Sequence, residues 1–287
     1  MRSLIVNADD FGLTGGVNRA IVELHQAGVL TSATLMARAA ATDEAIAMAK
    51  ANPALGLGCH VVLADGMPIL PADQISSLVD AATGRLAPTL GAFLLRLLSG
   101  RIRSEEMQAE AAAQIASLQA RGATLTHIDT HKHTHMFPAV LRPLLRAGKD
   151  AGIRAVRNPF EALWSLRATT QAPFLRRAQV RALRQLEAAF RRIVAEEGFV
   201  TTDGALGVLA TGTLDAAIVR TLLSRLPEGV WELVAHPGYL DGDLEREHTR
   251  LLASRERERL ALLEVARADG IRLISFASLT AEDAGRR

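Results

Sequence analysis

The chain has 287 residues, 49% of them apolar, which is enough for one sizeable core. Its 33 Lys and Arg nearly balance 31 Asp and Glu, and with only 4% aromatics this excludes a strongly basic nucleic-acid module built on an aromatic platform. A single cysteine, Cys59, excludes an intramolecular disulfide and the paired-cysteine zinc patterns.

The opening MRSLIVNADDFG has no leader-like apolar stretch, and no run reaches the ~18 apolar residues of a membrane span. A soluble, cytoplasmic protein with at most peripheral membrane contact is expected. The first predicted strand, residues 4–7, ends at the pair Asp9-Asp10, and a helix over 18–26 stops at Gly28. A second strand is predicted at 31–36, a helix at 42–51 with Thr42 as cap, and a third strand at 57–62. Positions 64–103, broken by Pro68, Pro71, Gly84, Pro88, Gly91 and Gly100, read as an irregular insertion with short helices over one end of the fold.

Ser104 reads as the N-cap of a helix reaching Arg121. A strand at 125–129, a helix at 138–150 and a strand at 153–157 follow. The longest predicted helix, 174–196, aligns Leu175, Ala178, Leu183, Leu186, Phe190 and Ile193 along one face. Its arginines read as a solvated face, or as a surface for a membrane or an anionic partner. A short strand at 205–209, a helix at 214–225, a strand at 231–235, a helix at 249–268 and a strand at 272–276 complete the chain. Seven or eight strand–helix units predict one α/β domain over 1–287 with a parallel sheet. It is either a (β/α) barrel or a distorted relative, or an open doubly wound sheet.

Chemistry-bearing residues gather at the predicted strand ends, which form the functional face of parallel α/β folds. Asp9 and Asp10 suit a metal ligand beside a base, or simply a turn with capping carboxylates. His60 suits a metal ligand or a structural ring, and its neighbour Cys59 reads as core. In THIDTHKHTHMFP, residues 126–138, His127, Asp129, His131, His133 and His135 alternate, as on one face of a strand. His131 is the preferred ligand there, with His133 as runner-up. His135 suits substrate contact, Asp129 suits orienting a ring through its distal N–H, and His127 is second to the site or structural. Arg157 suits an anion or a carboxylate, and His236, in AHPGY, a general acid or base.

The blocks LIVNADDFGLTGGVNRAI, GLGCHVVLADGMPIL, THIDTHKHTHMFP, VRNP and ELVAHPGY together resemble, in order, the YdjC-like carbohydrate deacetylases. Within them the sequence is most similar to the branch associated with hopanoid biosynthesis. The resemblance implies a single (β/α) barrel-like domain similar to NodB-type deacetylases. It implies metal-dependent removal of an N-acetyl group from an amino sugar, with N-acetylglucosaminyl hopanoid as the expected substrate and a chitooligosaccharide as the alternative. By motif, Asp10, His60 and His131 would hold one divalent ion, Zn²⁺ or Mg²⁺. Asp9 would be the base, His236 the catalytic His, and Arg157 the residue that steadies the base. The implied partner is an N-acetylated amino sugar or glycolipid, with no nucleic acid, and a homo-oligomer is compatible with it. Rival readings are a metal phosphoesterase or glycosidase, and a non-catalytic sugar- or metal-binding protein.

Overall fold

The computed structural model describes residues 1–169, 172–247 and 249–284. Thr170, Gln171, His248 and the last three residues of the expected 1–287 domain lie outside the described residues. Eight strands make one sheet: β1 (Arg2–Phe11), β2 (Ser32–Leu35), β3 (Gly56–Val61), β4 (Leu125–Thr130), β5 (Ala155–Val156), β6 (Gly204–Leu206), β7 (Gly229–Ala235) and β8 (Arg272–Leu273). The order is β5-β4-β3-β2-β1-β7-β6, with β8 also on β1, and every strand pair is parallel.

Helices follow the strands as parallel crossovers require. They are α1 (Gly15–Gln26), α2 (Thr42–Ala51), α3 (Leu90–Leu98), α4 (Ser104–Ala120), α5 (Pro138–Asp150), α6 (Leu163–Ala168) and α7 (Phe174–Leu183). The remainder are α8 (Glu187–Glu196), α9 (Ala216–Ser224), α10 (Gly242–Glu245), α11 (Leu252–Leu262) and α12 (Phe276–Ala284). Among the described residues no helix is long and apolar enough to cross a membrane.

The sheet is curled, not open. In a flat sheet of this order β5 and β7 would lie about 24 Å apart, five strand spacings. Yet Arg157, next after β5, donates from Nε to Glu232 Oε1 on β7 at 2.7 Å. Only a sheet bent around that side chain brings them together. Isolated parallel bridges, Ala155 to Val200 and Glu161 to Ala205, draw the two edges toward each other. The predicted open doubly wound sheet is thereby set aside.

Alternation along the strands sorts the residues into two environments. Leu4, Val6 and Ala8 of β1, Cys59 and Val61 of β3, and Leu233 and Ala235 of β7 belong to the main apolar core. Ile5, Ala155, Ile274 and Phe276 form a separate small cluster that floors the interior. Above that floor the inward positions turn polar: Asn7, Asp9, Thr34, His60, Asp129 and Glu232 are all buried. A polar interior on an apolar frame costs stability, and hydrogen bonds or charge pairs must offset it.

Several elements depart from the sequence-based expectation. The long helix over 174–196 is broken by a 3₁₀ turn, Arg184–Leu186, into α7 and α8. Phe190, Ile193 and Val194 of α8 are buried, whereas α7 buries nothing. The expected strand over 272–276 stops at Leu273, because Phe276 begins α12 and stacks on His127 with ring centroids 4.0 Å apart. Ser104 is the first helical residue of α4 and makes no capping bond; likewise Thr42 lies inside α2, its hydroxyl donating to the carbonyls of Met36 and Ala39. The insertion at 64–103 contains one helix, α3. Two buried acids of α4 pin it: Glu110 accepts from the backbone N–H groups of Ile69 and Leu70, and Glu106 from that of Ser77.

Candidate metal and catalytic site

β1 runs past the expected end at residue 7 and carries both aspartates within it. Consecutive strand residues should point to opposite faces. Here the pairing with β2 slips between Ala8 and Phe11, and Asp10 takes a left-handed backbone conformation, φ 62°. This bulge turns Asp10 toward the same mouth that Asp9 faces. A left-handed aspartate is tolerated because its short polar side chain bonds locally, and such strain gathers at functional sites.

Asp10 Oδ1, His60 Nε2 and His131 Nδ1 form a small triangle. Its edges are 3.6 Å (Asp10 to His60), 3.5 Å (Asp10 to His131) and 3.3 Å (His60 to His131). Donors at about 2.1 Å from one ion with tetrahedral angles stand about 3.4 Å apart, so the three atoms fit a single divalent cation. Asp10 Oδ1 is buried and has no hydrogen-bond partner, so no protein donor competes for its lone pairs. Asp10 Oδ2 is held at 2.5 Å by Arg255. Burial pushes the Asp10 carboxyl up, but Arg255 and His131 outweigh it and hold it well below the usual range.

The outer side of the triangle is equally specific. His60 Nδ1 lies 2.8 Å from Asp129 Oδ1, so Nδ1–H donates there and the Nε2 lone pair faces His131 and Asp10. Burial lowers the His60 ring, but Asp129, with Asp9 and Asp10, pushes it up to about 9, a field that favours positive charge at this spot.

Arg157 is fully buried and grips Asp9 with both terminal nitrogens, at 2.8 Å and 2.6 Å. The same guanidinium pairs with Asp129 and with Glu232. Desolvation pushes the Asp9 carboxyl up, and Arg157, with His60 and His236, overcomes it and holds the group far below the usual carboxylate range. Glu232 bears the surplus: burial raises it to about 7 despite Arg157, with Asp9 and Asp129 adding to the rise. One guanidinium among three carboxylates leaves one of them poised to keep its proton.

His236 follows β7, with Nε2 3.7 Å from Asp9 Oδ2. Its backbone N–H donates to Glu258 Oε2 at 2.6 Å, and the same oxygen lies 3.6 Å from its Nδ1. Burial lowers this ring as well, but Glu258 and then Asp9 raise it above its ordinary value.

The other histidines separate. β4 stops at Thr130, and residues 131–136 turn through a 3₁₀ segment in which Lys132 and His133 are left-handed. The alternation expected of a strand is therefore not realised beyond Thr130. His133 stands outside the triangle; burial and Arg157 push its ring down to about 3, and its buried Nδ1 has no partner. His135 is the residue expected to contact substrate. It is fully buried, with Nδ1 accepting from Thr130 Oγ1 at 2.7 Å and Nε2 donating to the carbonyl of Arg157 at 3.2 Å. It supports the backbone of Arg157 instead. His127 is also internal, bonded to Asn7 and Thr126.

Three site residues escaped the sequence reading. Arg255 and Glu258 come from α11, where SRERERL reads as an ordinary solvated charge run; nothing in the pattern marks which charges turn inward. Glu232 did leave a signal: a lone acid within WELVA, in a strand that is covered on both faces.

The sequence matches the family described as YdjC-like protein over residues 3–270. It is similar to the carbohydrate deacetylase of Halalkalibacterium halodurans, 30% identical over 277 residues, covering 94% of this chain and 99% of that protein. The carbohydrate deacetylase of Brevibacillus brevis is 40% identical over 157 residues, spanning 55% of this chain and 59% of that relative. A crystal structure of a putative cellobiose-phosphate cleavage protein from Enterococcus faecalis V583 superposes with a TM-score of 0.76 and 26% identity, over 97% of this chain and 98% of that one.

Proposed function

The chain belongs to the YdjC-like protein family, and from that premise we propose that it is a carbohydrate deacetylase that hydrolyses the N-acetyl group of an amino sugar, the whole chain acting as one catalytic domain. The observation that carries this reading is the Asp10–His60–His131 triangle set beside an arginine-clamped Asp9 and His236. Asp10, His60 and His131 would hold a divalent ion, Zn²⁺ or Mg²⁺, which when bound supplies Lewis-acid polarisation of the amide carbonyl and a more acidic water.

The protein's own groups do the rest. Asp9, kept anionic by Arg157, takes a proton from the attacking water. A carboxylate held this low is a weak base, so the transfer is easiest where the water is already acidified. His236, whose ring is raised by Glu258, carries the proton that the departing amine needs. Acetate and a free amino sugar result, and no acyl-enzyme is required. As acceptor we favour N-acetylglucosaminyl hopanoid over a chitooligosaccharide. Its support is the resemblance in sequence, together with the exposed Leu95 and Leu98 (70% and 78%) on the insertion that follows β3.

Acetate release from N-acetylglucosaminyl hopanoid and from chitobiose, with and without a chelator, tests this directly. Chelation should abolish release and a divalent ion should restore it. Full turnover by metal-free protein would sink the ion's role, and ion binding with no turnover of either substrate would leave a binding protein. Glu258→Gln gives a sharper check on His236. The proton on His236 is favoured by the Glu258 anion, so activity should persist up to the raised ring pKa and fall as pH rises through it. Without that anion the alkaline limb of kcat/KM moves to lower pH. An unmoved limb would show that His236 does not supply the proton.

A further inference from the structure

The exposed side of α7 is a surface of the opposite kind from that of an ordinary soluble helix. No residue of α7 is buried, and Phe174 and Leu175 are 85% and 68% exposed. At 100° per residue, Phe174, Leu175, Ala178 and Ala182 fall within an arc of about 100° on the outward side. Arg181 and Gln179 border that arc. Exposed apolar residues scattered singly are common; four on one helical face, led by a Phe, are not.

The helix is held where it is by its inward arginines. Arg176 donates to the carbonyls of Leu209 and Val208, each at 2.9 Å, and Arg177 to that of Thr169 at 3.1 Å. Arg184, just past the helix end, donates to the carbonyl of Glu161. The apolar arc therefore faces outward on an anchored element. Residues 162–186 contain five arginines and no acid, and of these Arg167 and Arg181 are exposed.

We propose that this face docks on an anionic lipid surface, with Phe174 and Leu175 entering the headgroup boundary and Arg181 and Arg167 meeting the lipid phosphates. An apolar arc with a basic border is the pattern of an interfacial helix. A second copy of the chain is a poor occupant, since an isologous pairing would set one cationic border against its twin. The segment leaves the sheet directly after Arg157, and Arg176 binds the loop that follows β6, so α7 stands at the end of the sheet where Asp9, His60 and His236 lie. Docking there turns the mouth of the site toward the lipid. The docking argument stands on the surface alone; only its use, presenting a lipid-borne amino sugar, rests on the deacetylase reading.

The experiment is co-sedimentation with vesicles of phosphatidylcholine alone, and with phosphatidylglycerol making up about a third of the lipid. The protein should bind the anionic vesicles, and bind them less as salt rises. Phe174→Ser/Leu175→Ser should weaken that binding at least about tenfold, and Arg181→Glu should weaken it severalfold, with melting curves unchanged. No turnover is needed for the measurement, so its failure is separable from failure of the deacetylase reading. Wild-type protein that ignores anionic vesicles, or a double Ser variant that binds them equally, overturns the proposal. So does self-association in sedimentation velocity that the double variant abolishes, since the face would then belong to a second copy.

Discussion

Asp9→Asn should lower acetate release by about 10²–10⁴-fold while leaving divalent-ion affinity within a few-fold of the parent. The expectation follows from the division of labour between two adjacent aspartates. Asp10 sends Oδ1 into the triangle with His60 and His131, whereas Asp9 is held by both terminal nitrogens of Arg157. An asparagine keeps the shape of the site but cannot take a proton. The fold should tolerate the change, because Arg157 keeps Asp129 and Glu232 as partners. Parallel titration of the ion and assay of turnover separate the alternatives. Asp9, His60 and Asp129 also lie close enough to share a cation. If Asp9→Asn loses ion binding together with turnover, that second set is the ligand set. If turnover survives, Asp9 is not the base.

How much of this was legible beforehand differs from residue to residue. The strand before Asp9 could be read because an apolar run halts at two acids, and a parallel sheet collects such ends at one mouth. The bulge at Asp10 could not, because it arises from pairing with β2, whose register the local sequence does not contain. The His-rich block was visible as chemistry but misleading as geometry. Alternation suggested one shared face, yet the chain leaves the strand at Thr130, and the left-handed Lys132 and His133 scatter the rings. His135 is then taken by Thr130 and the Arg157 carbonyl, a tertiary arrangement that no spacing announces. Arg255 and Glu258 show the limit most plainly. On a helix of alternating Arg and Glu, burial is decided by how α11 packs, and the sequence offers every charge as an equal candidate. The expected apolar face over 174–196 divides in the same way: Leu175 and Ala178 look outward, whereas Leu183, Leu186, Phe190 and Ile193 pack against the core.

Arg157→Met should destabilise the protein by about 3–5 kcal/mol near pH 8, the range for removing one partner from a buried charge network. Three carboxylates, Asp9, Asp129 and Glu232, share that one guanidinium. In the parent, Asp9 is depressed by Arg157, so its contribution is present at neutral pH and is lost only as pH falls toward its folded value. Glu232 runs the other way: raised to about 7, it costs stability as pH climbs from its unfolded value toward 7. Without Arg157, Asp9 loses the largest charge that holds it down, and Glu232 loses the one that offsets its burial. The loss relative to the parent should therefore be smaller at pH 5 than at pH 8, where the unfolded chain ionises freely and the folded one cannot. Urea midpoints at the two pH values measure this difference. Adding Glu232→Gln to the variant should recover part of the loss at pH 8, because one fewer anion is left uncompensated. An equal loss at both pH values would mean that Arg157 acts by filling space and not by charge. The link to turnover follows from the same contacts. The guanidinium that keeps the interior folded also keeps Asp9 ionised, so Arg157→Met should be inactive even at a pH where it remains folded.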